Sequence, residues 1–305
     1  MEFLLYWVAR GMVALLQALP LRWVARLGRF CGGLVYGLDA RHRRMARRNL
    51  AAAFPELSAR EVRALARENF QRIGENFACA VKTAAMPDEA LAAHLEFGGV
   101  GELPAVLQQQ PRSVVFAIGH FGNFELYARA RRLLPGWQMA TTYRALRQPR
   151  LNQLLQGLRE RTGCLYFERR TDGERLRRQL QQERLILGLL SDQHGGRRGL
   201  RLPFFGREAS TNPAPAIFAL RYRLPLFMGY CFRTGLGRWR LEVGEQIPTM
   251  VEGRPRAVAE IMRDVNRAFE QAIRRDPANW FWVHNRWKTP GRAPAPSPAL
   301  VPAKE

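Results

Sequence analysis

The stretch Ala117–Leu126, AIGHFGNFEL, decides how this chain reads. It carries the apolar run Val114–Ile118 directly into a glycine, a histidine and, five residues after the histidine, a glutamate. A short apolar, β-branched run closed by glycine reads as a buried strand and its exit. The chain has only 5 histidines, and one of them stands at this exit between two glycines. In a continuous helix, positions five apart are rotated by about 500°, so His120 and Glu125 would face different ways. A bend at Gly122-Asn123 removes that obstacle. Asn is a good N-cap, so the pattern predicts a strand ending near Ile118, a loop carrying His120, and a helix starting at Phe124 with Glu125 in its first turn. From there Glu125 is expected to reach back to the imidazole. A carboxylate on one ring nitrogen fixes the tautomer and raises the basicity of the other, which suits a general base acting on an alcohol. The plainer reading is a structural histidine beside a first-turn carboxylate favoured by the helix dipole, and a two-residue match at this spacing does not displace it.

Outward from this stretch, SVVFAIGH, WQMATTYR, CLYFE, RLILGLLSDQ, LPLFMGYCF and RWRLEV are short apolar or β-branched runs. Helical stretches at Gln148–Arg161 and Asp172–Glu183 separate some of them. The alternation predicts an α/β domain with a mixed sheet flanked by helices. Ser58 with Glu61 three places on is a capping-box signature and opens a helix through SAREVRALARENFQRIGENFACAVKTAAM. Glu252–Arg275 reads as one more helix. Residues 289–305 are Pro/Ala-rich and read as a disordered tail.

At 305 residues the chain has room for one large domain or two small ones, and it carries a formal charge of +22, mostly from arginine. Such a surface attracts phosphates, on nucleic acid or anionic lipid, or an acidic protein. The 4 cysteines are far apart and have no histidine at metal-ligand spacing, so reduced structural thiols are expected and no metal site. Residues 1–40 are apolar but interrupted by Arg10, Arg22, Arg26 and Arg29, and DARHRRMARRNL follows. An arginine at bilayer depth costs about 2.5–3.5 kcal/mol on insertion scales, which argues for an interfacial or marginally inserted helix. Arginines beyond it would meet anionic headgroups. A membrane-associating region at 1–40, a catalytic α/β domain at 41–288 and the tail at 289–305 are the expected divisions.

Taken with other blocks, the opening stretch resembles the lysophospholipid acyltransferase superfamily, whose marker is a His followed by four residues and an Asp or Glu. Within it the chain looks like the late lipid A acyltransferases, the lauroyl and myristoyl transferases of Gram-negative inner membranes. The blocks, in order, are RRNLAAAFP at 47–55, AIGHFGNFEL at 117–126, TTYR at 141–144, LLSDQHGGRRGLRLPFFGREASTNPAPAIFALR at 189–221 and PANWFWVHNRWK at 277–288. The resemblance implies a glycerolipid acyltransferase-like fold and a direct transfer. In it, His120 deprotonates an acceptor hydroxyl that attacks an acyl thioester, and Glu125 orients the imidazole. The oxyanion would meet backbone amides of the Gly122-Asn123 turn or the cation Arg144. Asp192 and Gln193, at the exit of an apolar strand, would shape the pocket, and Arg197 with Arg198 would meet acceptor phosphates. The implied co-substrate is acyl carrier protein or acyl-CoA, with no bound cofactor. The implied acceptor is a glycolipid, and the location is the cytoplasmic face of the bacterial inner membrane, peripheral or on a single N-terminal anchor.

Two features depart from that pattern. The chain reads YRALRQPRLN after the tyrosine-arginine pair, and His194 follows Asp192-Gln193 where relatives carry Asp. Both fall in the acceptor region, so another lysolipid or glycolipid acceptor stays open. A non-catalytic basic protein binding membrane or nucleic acid is the competing class. No aromatic platform or groove-reading helix interleaves with the arginines, so nucleic acid is not expected as a partner.

Overall fold

In the computed structural model, the residues described are 2–99, 103, 107–108, 113–133, 136–182 and 184–288. Each apolar run named above contains a strand. The strands are β1 (Leu95–Gly98), β2 (Val114–Ile118), β3 (Gln138–Tyr143), β4 (Leu165–Glu168), β5 (Leu185–Leu190), β6 (Leu200–Phe204), β7 (Arg207–Thr211), β8 (Leu226–Gly235) and β9 (Arg238–Ile247). Seven of them form one sheet in the order β1-β9-β8-β2-β5-β3-β4. All neighbours are parallel except the β8–β9 hairpin, so the sheet is mixed and the fold is α/β, as expected. The centre of this sheet is covered on both faces, which is why β2 and β5 read as continuous apolar runs instead of alternating. Val115 and Ala117 pack into a cluster with Ala216 and Phe269, while Val114, Phe116 and Ile118 face Ala128 and Trp137.

The β6–β7 hairpin was not foreseen. Its loop, Phe205-Gly206, has φ of 50° and 67°, the left-handed pair that matches the twist of a two-residue hairpin. The helix expected over Glu252–Arg275 begins only at Val258. Met250–Val251 and Arg254–Pro255 pair as a small hairpin instead, around Glu252 and Gly253 at φ 49° and 76°. A left-handed turn cannot continue a right-handed helix, so the apolar periodicity takes over only beyond it.

Among the described residues four long helices, α1 (Glu2–Ala18), α2 (Leu21–Leu38), α3 (Ala40–Ala53) and α4 (Ala59–Ala84), and a short one at Asp88–Ala92 precede the sheet. The capping box is present: the Glu61 amide donates to Ser58 Oγ at 3.3 Å and the Ser58 amide to Glu61 Oε2 at 2.7 Å. Helices α2 and α4 meet through glycine. A Cβ on Gly28 would lie 2.5 Å from the Gly74 carbonyl oxygen, and one on Gly74 would lie 2.1 Å from that of Gly28. This close approach fixes how α4 lies, and α4 forms a wall of the site. Beside it, Glu75 is buried and accepts from Arg233 Nε at 2.9 Å and the Gly237 amide at 2.9 Å, tying α4 to the β8–β9 hairpin.

The outer faces of α1 and α2 expose Leu4, Trp7, Met12, Trp23 and Phe30, with Arg10 over the Trp7 ring and Arg26 over that of Trp23. Among the described residues no helix is long and apolar enough to cross a membrane. The stretch 289–305, read as a disordered tail, lies outside the described residues.

Gly74→Leu is expected to lower the unfolding free energy by about 3 kcal/mol, the upper end of the usual cost of overpacking. Gly11→Ala, where a Cβ meets nothing within 4 Å, should be neutral or stabilise by about 0.5–1 kcal/mol. Denaturant titration of both variants in detergent checks the contrast.

Candidate active site

The site follows from strand register. β2 and β5 are parallel, with Val114 opposite Ile186 and Ile118 opposite Leu190. The Ser191 amide continues the ladder to the Ile118 carbonyl at 3.0 Å. His120 and Asp192, each two residues past its last strand pair, therefore arrive side by side at the carboxyl end of the sheet, where open α/β sheets bind ligands.

Asp192 has no exposed surface. Its Oδ1 accepts from His120 Nδ1 at 2.8 Å, and its Oδ2 accepts from the His120 backbone amide at 2.8 Å and from Trp280 Nε1 at 2.7 Å. Burial opposes the charge, yet the adjacent imidazole and these donors outweigh it and hold the carboxyl below its ordinary pKa. An ionised carboxylate only accepts, so Nδ1 carries the hydrogen and Nε2 of the neutral ring is left with its lone pair. Phe124 and Phe281 flank the imidazole at ring-centroid distances of 4.8 and 5.9 Å.

His120 faces a cavity of about 250 Å³. Its walls include apolar residues of α4, among them Ile73, Phe77 and Val81, then residues 124–126, and Leu155 and Leu158 of the helix Pro149–Glu160. A second, apolar cavity of about 100 Å³ lies between the Phe124–Leu133 segment and the sheet. Phe124, Glu125 and Arg159 border both cavities.

The Glu125 carboxylate, expected at the histidine, is turned to another partner. It takes Arg159 instead, with Oε1 accepting from Nη2 at 2.6 Å and Oε2 from Nε at 3.3 Å. The Arg159 guanidinium also lies over the rings of Tyr143 and Tyr166. Burial works against its charge, but the bond to Glu125 prevails and raises its pKa above the ordinary value. The expected reach of Glu125 back to the ring required an α-helix capped by Asn123. The segment is 3-10 over Phe124–Leu133, and the Asn123 amide group donates across to Thr83 Oγ1 at 3.3 Å. The bend itself is present: Gly122 has φ of 51°, and a Cβ there would lie 2.6 Å from the Cys231 carbonyl oxygen. The Gly122 amide, expected near an oxyanion, donates to the Asn279 carbonyl at 3.1 Å.

The other sequence candidates are scattered. Arg144 is exposed beyond β3 and lines neither cavity. Gln193 is half-buried beside Asp192, also outside both cavities, and Arg197 sits on an exposed turn after Gly196. Sequence reasoning missed Arg159, Phe281 and Trp280, and it expected at His120 a carboxylate that pairs with Arg159, where the structure has Asp192. A signal for Asp192 exists, since it stands at the same offset from its strand as His120 does from β2.

Residues 277–288 form a strap under this site. Phe121 bridges Trp280 in antiparallel fashion. Asn69 Nδ2 donates to the carbonyls of Ala278 and Trp280 at 2.9 and 2.5 Å, and Asn49 Nδ2 to those of Trp282 and His284 at 2.8 Å each. His284 Nε2 accepts from the His194 amide at 3.0 Å.

These features place an imidazole bonded to a buried carboxylate beside a largely apolar cavity, and comparison with known proteins supplies the class: an acyltransferase. The family model for bacterial lipid A biosynthesis acyltransferases matches residues 1–289. The chain is similar to the lipid A biosynthesis palmitoleoyltransferase of Escherichia coli (strain K12), 27% identical over 300 residues that cover 94% of this chain and 92% of that one. The lipid A biosynthesis lauroyltransferase of the same organism is 24% identical over 292 residues, with the same coverage. The chain belongs to the bacterial lipid A biosynthesis acyltransferase family.

Burial pushes His284 down to about 4 from 6.5; the Asp192 charge pulls it upward less strongly, and the charges of His120, Arg286 and His194 add smaller downward pushes. The unfolded chain thus takes up a proton that the folded one refuses until about pH 4. Stability is expected to fall as pH drops from about 6.5 toward 4. His284→Gln, which can still accept from the His194 amide, should flatten that slope in urea titrations across the window.

Proposed function

We propose that this enzyme moves a fatty acyl chain from an acyl carrier protein or coenzyme A thioester to a hydroxyl of a lipid A precursor, with His120 as general base and Asp192 as its orienting partner. The observation that carries the mechanism is the 2.8 Å bond from Nδ1 to a fully buried carboxylate, at the rim of an apolar cavity. Nε2 of His120 takes the acceptor hydroxyl proton while the hydroxyl oxygen bonds to the thioester carbonyl carbon. The tetrahedral oxyanion then collapses, the C–S bond breaks, and the imidazolium returns its proton to the departing thiolate. Asp192 stays ionised throughout and balances the imidazolium charge. The apolar cavity excludes water that would otherwise compete as the acceptor.

Arg159 replaces Arg144 as the cation suited to the oxyanion. It borders both cavities, and Glu125 holds its guanidinium in place. The other arginine of that wall, the buried Arg129, is committed to the Thr83 and Met86 carbonyls and to Asp88.

Residues 1–40 are read as the part that engages the inner leaflet of the bacterial cytoplasmic membrane. Support comes from the exposed Trp and Phe side chains of α1 and α2, with arginines stacked on them, together with the +22 charge. Apolar side chains interleaved with cations suit an anionic headgroup layer without requiring a span. The same charge suits an acidic carrier protein as donor.

The test is transfer from labelled acyl thioesters, both donors in parallel, to purified acceptor in mixed micelles. His120→Ala is expected to lower kcat by about 10²–10⁴-fold. Asp192→Asn should lower kcat with little change in KM and alter the acid limb of the pH profile, which a purely structural role would leave in place. Transfer by His120→Ala near the wild-type rate would refute the mechanism.

A further inference from the structure

Asp192 is the hinge of the proposed chemistry, and what holds it is an indole 88 residues away in sequence. Oδ1 is occupied by the imidazole alone, whereas Oδ2 takes both the His120 amide and Trp280 Nε1. The His120 amide and ring belong to one residue, so by themselves they would let the carboxylate and the histidine move together. The indole is the donor that comes from another element. Trp280 is 1% exposed, its ring packs edge-on against Trp282 at 4.7 Å, and Phe204 lies 5.6 Å away.

Its backbone is equally constrained. Asn69 holds the Trp280 carbonyl, Phe121 bridges it, and neighbouring Asn279 accepts from the Gly122 amide and donates from Nδ2 to the Cys231 carbonyl at 2.8 Å. The strap therefore grips the catalytic loop by its backbone and the dyad by one side-chain hydrogen.

We infer that Trp280 is a positioning residue of the catalytic dyad, acting through its indole N–H on Asp192 Oδ2 to set the direction and basicity of the His120 imidazole. The inference rests on the acyl-transfer reading above. Its sign follows from charge. An N–H bonded to the carboxylate drains negative charge from it, so removing that donor strengthens the pull of Asp192 on the Nδ1 proton and favours the imidazolium. The base would then be lost at a higher pH. The carboxylate would also be free to turn, so fewer encounters would find Nε2 aimed at the hydroxyl. Other groups act on the pair: Tyr127, His284 and Arg286 sense the Asp192 charge, and Glu125, Arg129 and Arg159 line the cavity facing His120. None of these changes when one indole hydrogen is removed.

Two replacements of Trp280 separate the hydrogen from the ring. Trp280→Phe deletes the donor and part of the ring. The benzothienyl analogue of tryptophan, with sulfur in place of the N–H, keeps the bicyclic shape and loses only the donor, so it serves where the phenylalanine variant folds poorly. Both are measured in the full chain in micelles, with melting temperature as the folding check. For the benzothienyl protein the expected result is a kcat about 10-fold lower, KM within about twofold, and an acid limb raised by about 0.5 pH unit. In the Asp192→Asn background the same replacement should add little, because its effect travels through that carboxylate. An unchanged kcat and acid limb in the benzothienyl protein, with His120→Ala inactive, would overturn the role of Trp280 and leave the acyl-transfer reading standing. An active His120→Ala protein would instead remove the base on which both rest.

Discussion

A carboxylate with no access to water must be met by donors, and the position of Asp192 is set by where those donors can be found. Two come from His120, which parallel register delivers from the neighbouring strand, and the third comes from an indole on the far side of the sheet's carboxyl edge. Much of the molecule serves this arrangement. The buried β2–β5 pair fixes the height of both strand exits, Gly122 lets the loop turn under them, and the 277–288 strap closes the remaining side. The proposed base is thus oriented by the core, and solvent-exposed loops contribute little to its aim.

Much of the sheet is legible in the sequence because central parallel strands are uninterrupted apolar runs, and VVFAI and LILGLL are short, apolar throughout and bounded by turn or polar residues. The histidine at a strand exit is legible for the same reason. The identity of its partner is not. Spacing arguments weigh residues that are close in sequence, and Glu125 is five residues from His120, whereas Asp192 is 72 residues away and becomes adjacent only through strand register. A 3-10 segment, narrower and differently phased than the expected α-helix, sends Glu125 toward Arg159. The strap was invisible for a related reason. It has almost no regular secondary structure, and its carbonyls are satisfied by Asn49 and Asn69 side chains, a device that leaves no periodicity to read.

The two cavities give the Glu125–Arg159 pair its meaning. An ion pair between apolar spaces costs desolvation that a hydrophobic pair would avoid, so it is poor evidence for stability. It is better understood as a charged seam between two largely apolar spaces, since Glu125 and Arg159 border both cavities. The stacking of Tyr143 and Tyr166 on Arg159 keeps that charge at a fixed height between them.

The strap also sets an order of events during synthesis. Helices α1 and α2, with their exposed aromatic faces, leave the ribosome before His120 and Asp192, and residues 277–288 come later still. Until those last residues thread beneath the catalytic loop, Asp192 lacks its third donor and Asn49 and Asn69 have no carbonyls to hold. The nascent chain therefore presents the apolar faces of α1 and α2 while the His120–Asp192 pair is still short of its last partner, so the paired site is completed only near the end of synthesis.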